Sequence, residues 1–386
     1  MDSVYAATFN YEKSTYVKDL SNRFEVQVMP GERHLVNTGF QVSSLTVNPS
    51  VITEYDEINS IDSTFTNGDQ NGIEGAVFIE DDLKLFNNTK LKLGIRSSVL
   101  YAADSACFSL EPRLSLSHQL SDDWSLRVGY SRNYQPLHTL VQTYGAYEKE
   151  IWFLADSEFK PQLADQVSGG IFGAIPGTSI DLSLEMYYKG MQNLLYLNPI
   201  AYDSKDLFDY IYKDGEGRST GIELLLQKTN GKIQWSVAYT LSWSQRRFNE
   251  LNSGEWFYSE FDRRHDLNIG LHYFSGKKNN WNFNYVFQSG RPFTMPVAQV
   301  NSTSFFTGFY VIDGVNNARM PAYNRFDVSY KRTGNFLWKR KYELTLSVLN
   351  LFASKNPAGM FVRDDKLYMT SLYVVIPSVN FKVFLF

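Results

Sequence analysis

The chain has 386 residues, of which 43% are hydrophobic, 16% aromatic and 20% charged, a length that suits one closed β architecture or two ordinary domains. A formal net charge of -4 offers no basic footprint for nucleic acid or for an anionic membrane surface. The single cysteine, Cys107, excludes an intrachain disulfide and a cysteine metal cluster.

In chain order the sequence is one alternating apolar and polar run after another, and a period of two marks strands with unlike faces. Val4–Tyr11 and Arg23–Val28 are the first candidates, followed by a tight turn around Pro30 and Gly31 and a strand from His34 to about Val47. The polar stretch Asn48–Gly72 reads as a long loop. Ile73–Leu85 and Leu91–Tyr101 follow, with Leu91, Leu93 and Ile95 opposite Lys92, Gly94 and Arg96. Arg113–Leu120 turns at Ser121-Asp122-Asp123 into Trp124–Asn133. After a loop from Tyr134 to Asp165 come Gln166–Ala174 and Ile180–Lys189, then a further long loop to Gly217. Thr220–Lys228 and Ile233–Arg246 flank Asn230-Gly231, a strong hairpin signal. His265–Phe274 and Trp281–Gln288 form the next hairpin, the loop Ser289–Pro321 precedes Tyr323–Lys331, and the chain closes with Tyr342–Phe352 and Val379–Phe386.

About sixteen strands of roughly nine to thirteen residues result, long enough to cross a bilayer at a tilt, with short turns alternating with long loops. The expected fold is all-β, an antiparallel transmembrane β-barrel formed by residues 1–386 as a single region. High aromatic content beside a mean hydropathy of only -0.30 fits strands with one lipid face and one wet face. Soluble sandwiches use shorter strands and do not sort their connections this way. No apolar run reaches about 18 residues, so no transmembrane helix is predicted. Met1–Ala6 shows no signal-peptide pattern.

Catalytic and metal chemistry find little support. Gly217-Arg218-Ser219-Thr220-Gly221 matches a nucleophile elbow, but a strand rather than a helix follows it. His34, His118, His138, His265 and His272 have no zinc spacing. Asn67–Gly72 resembles the start of a calcium loop, yet Phe78 stands where a bidentate glutamate is needed. Asp262 beside His265 is the one candidate for a barrel hydrolase, and a salt-bridged rim is the competing role. No catalytic residue, metal or cofactor is therefore assigned.

The long loops carry aromatic clusters: Tyr144, Tyr147, Trp152 and Phe153; Tyr202, Phe208, Tyr210 and Tyr212; Trp256, Phe257 and Tyr258; Phe305, Phe306, Phe309 and Tyr310. Aromatic residues on loops held by a rigid scaffold suit capture of sugars or flat chelates. The candidates for ligand contact are Tyr144, Tyr147, Trp152, Trp256, Phe257, Tyr258, Phe306 and Tyr310, the alternative being that they pack the loops together or brace the rim. Trp124, Trp235, Trp243 and Trp281 are expected at the lipid interface, and Arg127, Glu185 and Glu343 on the lumen wall.

Several segments together resemble the barrel of TonB-dependent outer-membrane receptors of the Bacteroidetes type. They are Leu110–Ser115, Gly129-Tyr130-Ser131 with Gln135, Lys160-Pro161-Gln162, Gly221-Ile222-Glu223, Asp262–His265, Ser289–Phe293, Tyr323–Asp327 and Asn350-Leu351-Phe352, in the family's order. The resemblance implies outer-membrane localisation and uptake of a bulky, scarce nutrient: an iron chelate, cobalamin, glycan or peptide. It implies outer-membrane lipids as surroundings and the barrel-assembly machinery as a partner that reads Phe384 and Phe386. TonB would act only through an N-terminal plug absent from this sequence, and a surface lipoprotein is expected for the glycan type alone. About sixteen strands would then be part of a 22-stranded barrel. A self-closed passive channel of sixteen strands, like a porin, is the second reading, and a barrel hydrolase the third.

Overall fold

The computed structural model describes residues 9–384 apart from 57–60, 67, 145–146, 199–206, 302–307, 336–339, 364–365 and 373. Among the described residues the regular elements are strands, save two short 3-10 turns, Leu207–Tyr210 and Asn252–Gly254. Seventeen of these described strands share one sheet, and eight others form four two-stranded sheets. Two of the seventeen, Ile61–Thr66 and Phe257–Tyr258, are short, leaving fifteen long ones beside the expected sixteen or so.

Several expectations change. The strand Ile211–Lys228 begins inside the loop expected to reach Gly217, Ala298–Asn301 pairs with Gly308–Val311 inside the expected loop Ser289–Pro321, and Pro357–Arg363 pairs with Lys366–Ser371 between the closing strands. Val4–Tyr11 and Arg23–Val28 belong, where described, to one strand, Phe9–Gly31, paired with His34–Asp56 from Phe9↔Asp56 to Gly31↔His34. Residues 4–8 lie outside the described residues. Polar side chains between the two apolar runs hide this continuity, because the ladder is built from backbone groups that pair whatever the side chain. The loop Asn48–Gly72 is partly strand, since His34–Asp56 pairs with Ile61–Thr66. The loop Tyr134–Asp165 contains a hairpin, Leu137–Tyr144 with Tyr147–Leu154.

The chain divides into two compact units: Met1–Ser115 with Tyr130–Asp165 and Met191–Glu216, and Leu116–Gly129 with Gln166–Gly190 and Gly217–Phe386. In the first, Gln70–Phe86 pairs with Thr89–Ala102 so that Ile73, Val77 and Ile79 stand exposed on one face. The opposite face is ionic. Arg96 lies 3.7 Å from Glu74 and 3.8 Å from Glu111, while Glu80 meets Lys92 at 3.2 Å and Arg113 at 3.4 Å. So many charges on one sheet face are costly in a dry core and stable beside water. Gly39 admits the Phe78 ring across the ladder: a Cβ there would stand 2.9 Å from the ring and 2.1 Å from the Phe24 carbonyl oxygen.

In the second unit, paired residues share a face, so the register draws rows across the sheet. Trp235 is opposite Leu271, Leu271 opposite Phe283, Phe283 opposite Val328 and Val328 opposite Val348. The neighbouring row on the other face runs Ser236, Gly270, Asn284 and Asp327. Trp281 stacks on Phe283 with centroids 6.3 Å apart and tilts against Tyr330 at 4.8 Å, giving the apolar face an aromatic band. On the polar face Lys331 and Glu343 pair at 2.9 Å.

Candidate functional site

Each unit carries a platform where its long connections fold back. In the first unit the hairpin Leu137–Tyr144 with Tyr147–Leu154 contributes to a core of Leu140, Ile151, Phe153, Phe159, Leu195, Leu197 and Ile211, with Phe208 against it. Phe153 is fully buried and meets Phe159 and Phe208 edge-on at 5.3 and 5.4 Å. His138, also fully buried, lies 5.0 Å from the Phe153 ring and places Nε2 3.1 Å from the Phe159 carbonyl oxygen. Burial lowers its pKa, partly offset by that carbonyl. Gln70 Oε1 accepts the Leu154 N–H at 2.8 Å, tying the hairpin to the strand below.

In the second unit the turn before Trp256 and the loop before Arg319 are locked together by asparagines. Asn252 accepts the Val315 N–H at 2.7 Å and donates to the Val315 carbonyl at 3.1 Å. Asn317 treats Met295 the same way, at 2.8 and 3.0 Å. Asn252, Ser253 and Asn316 adopt left-handed backbone, with φ of 50°, 58° and 53°, which Asn tolerates better than most residues. Asn316 also donates to the Tyr258 carbonyl at 2.9 Å. The result is a polar cavity of about 530 Å³ lined by Asn252, Phe257, Tyr258, Asp313 and Asn316 among others.

Below it, buried Asp262 accepts the Ser244 N–H at 2.7 Å, is 3.8 Å from Arg264 Nη2 and accepts from Arg319 Nη2. His265 instead turns Nδ1 to the Tyr239 hydroxyl at 2.8 Å, so Asp262 and His265 do not form a catalytic pair. The segment Gly217–Gly221 lies inside the strand Ile211–Lys228, which denies it the geometry of a nucleophile elbow. Asp69, in the suspected calcium loop, accepts from Tyr16 and, at 2.9 Å, from Asn48; these bonds hold its carboxyl below the usual range.

The candidate aromatics have unlike surroundings. Trp256 lies under two guanidinium groups, Tyr258 lines the cavity, and Phe257 is buried against Phe248 at 6.3 Å. Trp152 packs beside a second core cluster containing Leu45, Leu100 and Leu154, and donates to Glu150 at 3.2 Å. Tyr144 pairs with Tyr147 at the hairpin tip and Tyr310 pairs with Gln299, while Phe306 and Phe386 lie outside the described residues. Phe384 is exposed. Trp243 carries Arg264 over its ring at 4.8 Å, and Trp124 crowds Gly173, whose Cβ would stand 2.7 Å from the indole. Arg247, Arg319, Asn252 and Asn316 are not singled out by the sequence, and Arg218 and Arg264 appear there only within the segments Gly217–Gly221 and Asp262–His265, without a role at this platform. Arg246-Arg247 and Arg263-Arg264 at strand ends beside aromatics were the available signal.

Long antiparallel strands with one apolar and one polar face, in one large sheet, are the wall of a transmembrane β-barrel. The model of the TonB dependent receptor-like β-barrel family matches residues 2–351, and the chain belongs to that family, whose members are receptors of the Gram-negative outer membrane rather than enzymes. Among solved structures it is similar to the ferric citrate transporter FecA in the unliganded form, with TM-score 0.64 and 12% identity over 99% of this chain and 56% of that one. The ferric-catecholate import receptor Fiu from K12 E. coli gives 0.65 and 13% over 97% and 55%, and the ferric yersiniabactin uptake receptor FyuA from Yersinia pestis 0.63 and 13% over 97% and 54%. The chain thus spans about half the length of these structures. No curated protein matches it by sequence.

Proposed function

We propose that this chain forms part of the wall and ligand-catching rim of a receptor that imports a ferric chelate across the outer membrane. Energy would come from TonB through a plug domain supplied outside the present sequence. The observation that carries the reading is the platform around the cavity of about 530 Å³, where the amides of Asn252 and Asn316, and Tyr258 with Arg264 and Arg319 over its ring at 5.1 and 4.8 Å, offer a polar surface to a bulky polar ligand. The solved structures it resembles include transporters named for ferric citrate, ferric catecholates and ferric yersiniabactin.

The test is uptake of radiolabelled iron, presented as single chelates, by source cells with and without this protein. Loss of uptake for one chelate class, reproduced in part by Tyr258→Ala, supports the reading. Unchanged uptake of every chelate, together with steady conductance of the purified protein in planar bilayers, would establish a passive channel instead.

A further inference from the structure

On the apolar face of the second unit, one row of the register sets three aromatic residues side by side. Ile233 stands opposite Tyr273, Tyr273 opposite Trp281, Trp281 opposite Tyr330 and Tyr330 opposite Leu346. Tyr273 and Trp281 are exposed, and the Tyr330 hydroxyl donates to Asn279 Oδ1 at 2.8 Å, toward the short-turn end. The next row on this face places Arg332 between Asn279 and Leu344. Beyond it lie three short turns, and each is basic: Lys232 in the first, Lys277 and Lys278 in the second, Arg340 and Lys341 in the third, all exposed, as is Arg332. Backbone bonds hold the turns in line, from the Phe274 N–H to the Lys232 carbonyl at 2.9 Å and from the Thr333 N–H to the Lys278 carbonyl at 2.8 Å. Glu343 is the only acid in residues 228–233, 274–281 and 330–344, and Lys331 takes it at 2.9 Å on the polar face. None of the six exposed cations makes an ion pair among the described residues.

A row of aromatics followed by cations is what the boundary between hydrocarbon and headgroups selects: the rings sit at the interface and the cations reach the polar layer. Short turns of outer-membrane barrels lie on the periplasmic side, so this boundary belongs to the inner leaflet. Like charges gathered on neighbouring turns repel one another, and an anion that remains at their depth relieves the repulsion. The planar fork of Arg332 matches the oxygens of a phosphate, and the lysines add point charges around it. We infer that Arg332 and Lys278, with Lys232 and Lys341 on either side, form a docking site for the phosphate of an anionic two-chain phospholipid in the periplasmic leaflet. Its acyl chains lie over Trp281 and over the pair Phe283 and Val328 in the row above. A nutrient entering the lumen meets the opposite face, so this site stands whatever ligand is transported. Free phosphate shares the headgroup chemistry but has no chains for the aromatic row.

The experiment is native mass spectrometry of the intact protein, purified from outer membranes in detergent, stripped of lipid and titrated with phosphatidylglycerol, phosphatidylethanolamine or inorganic phosphate. Phosphatidylglycerol should bind at concentrations where the other two do not. Arg332→Gln with Lys278→Gln should weaken that binding about tenfold or more, the loss of two cations beside an anionic headgroup. Lys84→Gln with Lys90→Gln removes as much charge from the polar face at a short turn of the first unit and should leave binding unchanged. If the first double variant does not fold, as read by heat-dependent gel mobility, Lys232→Gln with Lys341→Gln replaces it and should weaken binding in the same direction. Equal affinity of variant and native protein, an equal loss from Lys84→Gln with Lys90→Gln, equal binding of phosphatidylethanolamine, or tight binding of inorganic phosphate alone would each overturn the inference.

Discussion

Replacing Asp262 with asparagine tests the node that holds the second platform to the sheet. The carboxylate is completely buried and serves three partners: the Ser244 N–H, Arg319 and, more distantly, Arg264. Asparagine can still accept the Ser244 bond through Oδ1, so the loss falls on the two cations. One charged hydrogen bond is worth about 1.5–3 kcal/mol. The Arg264 contact at 3.8 Å adds less, because that side chain remains 25% exposed and can rehydrate. Arg319, 35% exposed, also recovers some water, so the total falls below the full cost of breaking an entirely buried pair. About 2–4 kcal/mol of local stability should disappear, which accelerates exchange of the Ser244 amide roughly 30- to 900-fold if opening is local. Hydrogen–deuterium exchange read on the peptide 240–247 measures this directly. A D262N/R319Q double variant should lose little more than either single variant, since both remove one interaction. Unaltered exchange in D262N, or strictly additive losses in the double variant, would refute the assignment of Asp262 as the anchor.

Acid should loosen the first platform. His138 has a depressed pKa in the folded state, so its contribution is complete above the unfolded value of about 6.5 and is lost as pH falls from there through the folded pKa; protection of 147–160, taken relative to the intrinsic exchange rate at each pH, should fall between pH 7.5 and 5.5, and His138→Gln should remove that dependence. Gly290→Ala should cost several kcal/mol, on the order of a severe overpacking substitution. Its Cβ would lie 1.6 Å from the Met320 carbonyl oxygen, so the backbone must move, and a lowered temperature of heat-dependent gel mobility would report it.

The sheet was legible because alternation is local. Leu344, Leu346 and Val348 against Glu343, Thr345 and Ser347 declare two faces without reference to any other strand, and the observed pairing keeps those faces apart. The same locality explains what was misread. Phe9–Gly31 and Asn48–Gly72 contain polar stretches whose strand state depends on backbone bonds to a partner, which side-chain patterning does not record.

The platforms lay still further from view. Trp152, Phe153, Phe208, Trp256, Phe257 and Tyr258 look alike as loop aromatics, yet the fold buries Phe153 and Phe257, packs Trp152 and Phe208 against core clusters, stacks Trp256 between arginines and turns Tyr258 to a cavity. Those fates depend on Arg218 meeting a residue 38 positions away (256 − 218) and on Asn252 clamping a backbone 63 positions away. Contacts at such separations leave no period in the sequence. The sequence by itself determined which residues face lipid and which face water, because that choice is made within each strand. Only tertiary structure decided which loop residues brace and which remain to bind, because that choice belongs to the partners that the fold brings together.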